Sequence, residues 1–123
     1  MAETGTKLTN EQKRAQLRKA YDLSARGEYE RSVEEGFADD AVFHSQMRGS
    51  EFRGKAKIAE ETKKQNQESP TTWHVHDVLV SDDHGVALLE AEQAGRRRRI
   101  VHVLHLNDAG KITESWAVFN PND

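Results

Sequence analysis

The feature of this sequence that most constrains its fold is a change in hydrophobic period at Thr71. From there onward apolar and polar residues alternate with a period of two, which is typical of β-strands. The alternation predicts four strands, at about 71–81, 86–93, 96–106 and 111–119. The short segments between them carry the glycine and aspartate residues of hairpin turns: Asp83-His84-Gly85, Ala94-Gly95 and Asp108-Ala109-Gly110. We therefore expect an antiparallel meander.

The N-terminal half has the helical period instead. One face of a first helix is marked by the spacing i, i+3, i+4 and i+7 of Leu17, Ala20, Tyr21 and Ser24. Thr9 and Gln12 form a capping-box pattern ahead of this helix, and Gly27 suits the left-handed position that closes it after Arg26. A second helix is expected to carry Tyr29, Val33 and Phe37 on one side.

The second helix is predicted to end near Asp39 and Asp40, and Ala41–Gln46 alternates as a strand does. A loop with Gly49 and Gly54 then leads to a third helix over about 55–67. The apolar stripe of that helix is thin, consisting of Ile58, Ala59 and Thr62, and Pro70 stops it.

Helices that precede a run of strands predict an α+β fold, with the helices covering one face of a largely antiparallel sheet. At 123 residues the chain suffices for one compact domain. No internal repeat or linker divides it. We expect a flexible tail over residues 1–8 and a single domain over 9–123.

Charge and composition exclude several classes of protein. Eighteen Lys and Arg against 21 Asp and Glu give a net charge of -3, which argues against a dedicated nucleic-acid binder. The apolar runs are far too short to span a membrane, and the N-terminus resembles no secretion signal, so we expect a cytoplasmic protein without a membrane partner. Because there is no cysteine, chemistry would depend on His, carboxylates, hydroxyls, Arg and Lys. We expect no cofactor.

The order of elements resembles the nuclear transport factor 2-like superfamily, and within it the SnoaL-like group. The segments that carry the resemblance are FADDAVFHS, FRGKAKI, HDVLVSDDHGVALL and VHVLHLNDAGKITESW. Relatives in this group include ketosteroid isomerases, polyketide cyclases and limonene epoxide hydrolase. The resemblance covers residues 10 to 120. It implies a cone-shaped, curved and mostly antiparallel sheet wrapped around three N-terminal helices, the cystatin-like fold. It also implies an apolar pocket inside and a homodimer packed through the outer face of the sheet.

The functional positions of those relatives fall on different residue types here. The steroid isomerase aspartic acid that donates to the oxyanion falls on His102, its proton-abstracting carboxylate on Ser45, and its oxyanion-hole tyrosine on Ala20, one step from Tyr21. The aspartate that follows the tryptophan in the cyclases falls on Ala117. The Asp-Arg-Asp arrangement of the epoxide hydrolases has no counterpart. The resemblance therefore implies the family pocket without its known catalytic carboxylates.

The resemblance selects the His102 face of its strand as the inner face. A two-residue turn at Ala94-Gly95 would pair Ala87 with His102, Leu89 with Ile100 and Ala91 with Arg98 on that face. Strand alternation then predicts a pocket lined by Tyr21, Phe37, Phe43, Ser45, Leu89, His102, Leu104, Ala117 and Phe119.

His102 is the predicted catalytic residue, because an imidazole can act as acid, base or hydrogen-bond donor near neutral pH. Alternatively, His102 is a core residue bonded to a hydroxyl or backbone partner. A Ser45 nucleophile would also need an orienting acid and an oxyanion hole, and the sequence shows neither. In the Arg96–Arg99 run, Arg97 and Arg99 are expected to form outer ion pairs with glutamates across the hairpin. Arg98 would face the mouth of the pocket and could receive a carboxylate or enolate.

The remaining histidines are expected outside the pocket. His74 and His76 share a strand face at a spacing that a metal site could use, but no third ligand accompanies them, and we predict no metal site. His84 is expected to have a local role in its turn. His44 and His105 should lie on the outer face, where they and a tryptophan could join a dimer interface.

The sequence thus predicts a homodimer that binds a small apolar organic molecule in a hydrophobic pocket. Any chemistry would be cofactor-free isomerisation, cyclisation or hydration, with His102 as acid or base. The alternative is a non-catalytic ligand-binding or structural module of the same fold.

Overall fold

The computed structural model describes residues 7–45 and 50–119 of the chain. These residues form three helices and six strands, in the order α1 (Asn10–Ala25), α2 (Tyr29–Gly36), β1 (Phe37–Ser45), β2 (Ser50–Arg53), α3 (Lys55–Glu68), β3 (Thr72–Ser81), β4 (His84–Gln93), β5 (Arg96–Leu106) and β6 (Ile112–Phe119). None of the three described helices has the length and apolar character that crossing a membrane would need.

The six described strands form one sheet in the order β2-β1-β6-β5-β4-β3. Among these described strands, only β1 and β6 pair in parallel. The register shifts by one residue between Val75 and Asp77 of β3, as at a β-bulge, which bends a strand. It is also irregular between Phe37 and Val42 of β1. The predicted α+β class, with helices against a curved and mostly antiparallel sheet, is confirmed.

The central hairpin has the predicted register. Ala87 lies opposite His102, Leu89 opposite Ile100 and Ala91 opposite Arg98. Its turn is closed by Ala94 and Gly95, both with positive φ, as a two-residue hairpin turn requires. The cross-strand ion pairs expected for Arg97 and Arg99 do not form among the described residues, although both arginines lie opposite glutamates.

Helix α1 packs one apolar face against the sheet. Its N-terminus is the predicted capping box, in which the Thr9 hydroxyl accepts from the Gln12 amide and the Gln12 side chain accepts from the Thr9 amide. Leu17 is completely buried among sheet residues that include Val78 and Leu104. Each fully buried side chain of this size contributes about 2 kcal/mol to stability.

Helix α2 is shorter than predicted, because it ends at Gly36 and not near Asp39 and Asp40. Gly36 lies where α1 and α2 are so close that an added Cβ would be 3.1 Å from the Cβ of Ala20. The next residue, Phe37, takes the extended conformation and pairs with Ile112 of β6. The residues from Phe37 onward, which the helical spacing assigned to α2, therefore belong to strand β1.

Strand β2 was predicted as a loop. Its four residues have no clear alternation, and pairing with β1 makes them a strand, with Phe52 opposite Phe43. Gly54 follows with a φ of 90° and donates its amide to the Ala41 carbonyl.

Some predicted features lie outside the described residues. They are Gln46 at the end of the first predicted strand, Gly49 in the loop, and residues 1–6 of the expected tail. Leu8, at the end of that tail, donates its amide to the Asp108 carbonyl at 3.0 Å.

Candidate functional site

A cavity of about 120 Å³ lies between the helices and the inner face of the sheet. Its wall comprises residues of all three helices and of five strands: Ala20, Tyr21, Ser24, Tyr29, Ser32, Val33, Gly36, Phe37, Phe43, Ser45, Ile58, Thr62, Gln65, Trp73, Val75, Leu89, Ile100, His102, Ile112, Ala117 and Phe119. No described residue of this wall is an aspartate, glutamate, lysine or arginine. The wall is therefore uncharged, and mostly apolar.

The main polar feature of the cavity is a hydrogen bond between α1 and β5. The hydroxyl oxygen of Tyr21 lies 2.7 Å from Nδ1 of His102. Strand alternation directs His102 inward from β5, and the helix face that buries Leu17 also turns Tyr21 toward the sheet. Either group can donate, since one neutral imidazole nitrogen carries a proton and the other accepts.

Aromatic neighbours fix the orientation of the imidazole. The rings of Tyr21 and Phe43 have centroids 5.6 Å and 5.9 Å from that of His102. Among the described residues, none is hydrogen-bonded to Nε2, the other ring nitrogen of His102. A ligand in the cavity could therefore bond to Nε2, whereas Nδ1 is already bonded by the protein.

Both members of this pair are uncharged near neutral pH. Burial lowers the pKa of His102 to about 4, because the imidazolium would lose its hydration in an uncharged cavity. Burial also raises the pKa of Tyr21, which keeps its hydroxyl protonated. No carboxylate in the described wall offsets the cost of a charge on His102. The pair therefore offers hydrogen bonds, and at neutral pH His102 is a weak base.

The structure brings together most of the residues predicted to form the pocket. Eight of them line the cavity: Tyr21, Phe37, Phe43, Ser45, Leu89, His102, Ala117 and Phe119. Although Ser45 and His102 both belong to the wall, no hydrogen bond joins these two described residues. The arrangement thus lacks the Ser-His contact that a serine nucleophile would need.

Two predicted pocket residues lie elsewhere. Leu104 faces inward but is fully buried beyond the cavity, where it packs in the core with Leu17. Arg98 lines a neighbouring groove rather than the cavity, and its guanidinium carbon lies 5.0 Å from the centre of the Phe119 ring. Strand alternation gives the correct face for both residues, but it does not show how far along the strand the helices leave a space.

Several wall residues were not predicted as part of the pocket. Tyr29 of α2 donates its hydroxyl to Oδ1 of Asn66 on α3 at 2.8 Å, and Thr62 and Gln65 also face the cavity from α3. Trp73 of β3 lines the cavity as well. The polar residues next to the thin apolar stripe of α3 could have predicted that this helix lines the pocket, because a helix face that mixes apolar and polar side chains can border a cavity.

The other histidines lie outside the cavity. His44 is stacked on Trp116 and its Nε2 is 2.6 Å from a carboxylate oxygen of Glu114 on the outer face, where His105 also contacts Trp116. His84 contacts the neighbouring Asp83, but it is the first residue of β4, so the predicted turn at Asp83-His84-Gly85 is wrong and the turn lies at Asp82-Asp83. Within residues 7–45 and 50–119, no three His, Asp or Glu side chains converge as metal ligands would.

Comparison with known proteins identifies the family. The family model described as SnoaL-like domain matches residues 17–115. The chain belongs to the SnoaL-like family. A comparison with curated proteins found no match.

Solved structures share the SnoaL-like architecture at low sequence identity. A protein of unknown function with a cystatin-like fold from Methylobium petroleophilum is 18% identical, with a TM-score of 0.79 over 93% of this chain and 79% of that one. A provisionally named ketosteroid isomerase from Kribbella flavida is also 18% identical, with a TM-score of 0.78 over 90% and 79%. A provisionally named polyketide cyclase from Sinorhizobium meliloti is 16% identical, with a TM-score of 0.70 over 83% and 93%. These similarities confirm the nuclear transport factor 2-like fold.

Proposed function

We propose that this SnoaL-like protein binds a small, largely apolar organic molecule in its cavity, with one oxygen of that molecule bonded to Nε2 of His102. The observation that carries the proposal is an uncharged cavity whose wall contains one imidazole nitrogen without a hydrogen bond from the described residues. An apolar cavity of comparable size can hold a molecule such as benzene. A single oxygen atom on the ligand would satisfy Nε2.

The size of the cavity limits the part of a ligand that it can hold. At about 120 Å³ it is smaller than the pockets of several hundred Å³ that enclose drug-sized ligands. A single six-membered ring suits this volume, and a four-ring steroid would require the helices to move apart. A compact alicyclic or aromatic group that carries one alcohol or ketone oxygen is therefore preferred inside the cavity.

A direct test compares cyclohexanone with cyclohexane by NMR titration of the wild-type protein. We expect cyclohexanone to shift the resonances of cavity residues and to bind several-fold more tightly, because it can accept from Nε2–H. His102→Leu should remove that preference, whereas His105→Leu, on the outer face, should retain it. Equal binding of both probes, or no binding of either, would contradict the proposal.

A second candidate function is cofactor-free acid-base catalysis of the isomerase, cyclase or hydrolase type. The observation that favours it is the position of His102 at the cavity wall with its Nδ1 supported by Tyr21. The low pKa of His102 and the absence of a wall carboxylate among the described residues favour binding without catalysis. Exchange of the α-protons of cyclohexanone in deuterated water, compared between wild type and His102→Leu, distinguishes these functions.

We further propose that two copies of the chain associate through the outer face of the sheet. Val103 on β5 and Val118 on β6 are both well exposed there, beside Trp116. Exposed apolar side chains clustered around a tryptophan are typical of association surfaces. A homodimer on this face would leave both cavities on the opposite side of the sheet.

A further inference from the structure

A groove adjoins the cavity at the far end of the β4–β5 hairpin. Gln65, Trp73 and Ile100 line both spaces, so the two are adjacent. The groove has a volume of about 410 Å³ and, unlike the cavity, is bordered by charged residues, namely Glu68, Arg96 and Arg98. A ligand that extends from the cavity into this groove would pass from an uncharged space into a charged one.

Arg98 lies beside the cavity wall. Its guanidinium lies over the ring of Phe119, which itself lines the cavity. No carboxylate of the described residues forms an ion pair with it, and the residue opposite it in the hairpin is Ala91, whereas Arg97 and Arg99 lie opposite glutamates. A guanidinium stacked on an aromatic ring keeps its N–H groups directed outward, where they can bond a carboxylate in a bidentate manner.

We infer that the ligand is a monocarboxylate, with its carboxylate on Arg98 and its apolar body in the cavity, where its alcohol or ketone oxygen bonds Nε2 of His102. This inference rests on the proposed function and specifies its ligand class. Arg98 and His102 are four residues apart on the inner face of β5, which corresponds to roughly 13 Å. An extended chain of about eight carbons covers most of that distance.

The neighbouring charges favour one anion over two. Glu68 borders the same groove and, like Arg96, already has an interaction within the protein. A dicarboxylate would place a second negative charge either near Glu68 or in the uncharged cavity, and both positions are unfavourable. The groove therefore suits one carboxylate and excludes a second.

The experiment measures the dissociation constants of octanoate and octanamide by calorimetry near neutral pH, where only octanoate is charged. These probes have the same chain length and differ in charge. In the wild type we expect octanoate to bind about tenfold more tightly, because a guanidinium–carboxylate bond is stronger than one to a neutral amide. Added salt should weaken the binding of octanoate only.

Variants on the same strand assign the effect to Arg98. Arg98→Gln should reduce octanoate binding to the level of octanamide and leave octanamide unchanged, while Arg98→Lys should restore part of the preference. Arg99→Gln, on the opposite face of β5, is the matched control and should change neither. Equal binding of the two probes to the wild type, or an equal loss in Arg98→Gln and Arg99→Gln, would overturn the assignment while leaving the proposed function intact. Failure of both probes, together with cyclohexanone, to bind would overturn both.

Discussion

Ala117 lies directly opposite His102 in the β5–β6 pair, and both residues face the cavity. Directly opposed residues of antiparallel strands have Cβ atoms about 5 Å apart. A larger side chain at residue 117 would therefore occupy the space beside the imidazole, where the proposed ligand oxygen binds.

Ala117→Leu should fill part of the cavity without unfolding the protein. We expect cyclohexanone affinity to fall at least tenfold, with the free energy of unfolding changed by about 1 kcal/mol or less, because the added carbons enter existing space. Val118→Leu, on the outer face, is the control and should bind normally. Undiminished affinity in Ala117→Leu would show that the ligand binds elsewhere.

Tyr21→Phe removes the hydroxyl that bonds Nδ1 of His102 and leaves a buried polar atom without its partner. The expected loss in the free energy of unfolding is about 1–2 kcal/mol, measured by urea denaturation. Tyr29→Phe breaks the bond to Asn66, which is nearer to solvent, and should cost less. The nitrogen chemical shift of His102 Nδ1 should also change in Tyr21→Phe only. An unchanged shift would mean that the bond does not form in solution.

The low pKa of His102 predicts a dependence of stability on pH. The folded-state pKa of about 4 is below the unfolded value of 6.5, so the unfolded chain binds a proton first as the pH falls. The stabilisation is complete above about pH 6.5 and is lost between there and pH 4, by up to about 3 kcal/mol. His102→Asn should lack this pH-dependent part of the free energy of unfolding. Urea denaturation of both proteins across this pH range measures it as the difference between their profiles. Parallel profiles would contradict the assigned shift.

The proposed dimer predicts a specific effect of charge on the outer face. Val118→Glu would place a carboxylate in the centre of the interface, where its desolvation is costly, and should give a monomer in sedimentation velocity. Lys64→Glu on α3 also introduces a carboxylate, but lies away from the sheet and should leave the association unchanged. If wild type and Val118→Glu sediment alike, this face is not the interface.

Cavity binding in the Val118→Glu variant separates assembly from ligand recognition. Because Val118 points away from the cavity, the variant should bind cyclohexanone as the wild type does. A loss of both properties would indicate that the cavity depends on the dimer.

Sequence reasoning succeeded where a local pattern determines the structure. Alternation and the Ala94-Gly95 turn gave the register that places Ala87 opposite His102, because a two-residue turn fixes which residues of a hairpin face each other. The Thr9 capping box likewise depends on residues three positions apart. The helical spacing of Tyr29, Val33 and Phe37 wrongly predicted that Phe37 lies in α2. Phe37 instead pairs in parallel with Ile112, and this contact between distant segments cannot be seen in a local pattern.

By itself the sequence determined the α+β class and which residues of β5 share a face with His102, since hydrophobic period and turn residues are properties of neighbouring positions. The resemblance to known proteins predicted that this face is the inner one. Only the tertiary structure decided that Tyr21 bonds His102, that Leu104 lies in the core, and that Arg98 borders a groove beyond the cavity. The physical reason is that a cavity is the space which packed elements leave unfilled. Its extent depends on how closely the helices approach the sheet, as at Gly36 and Ala20, and this distance is not encoded in the period of any one segment.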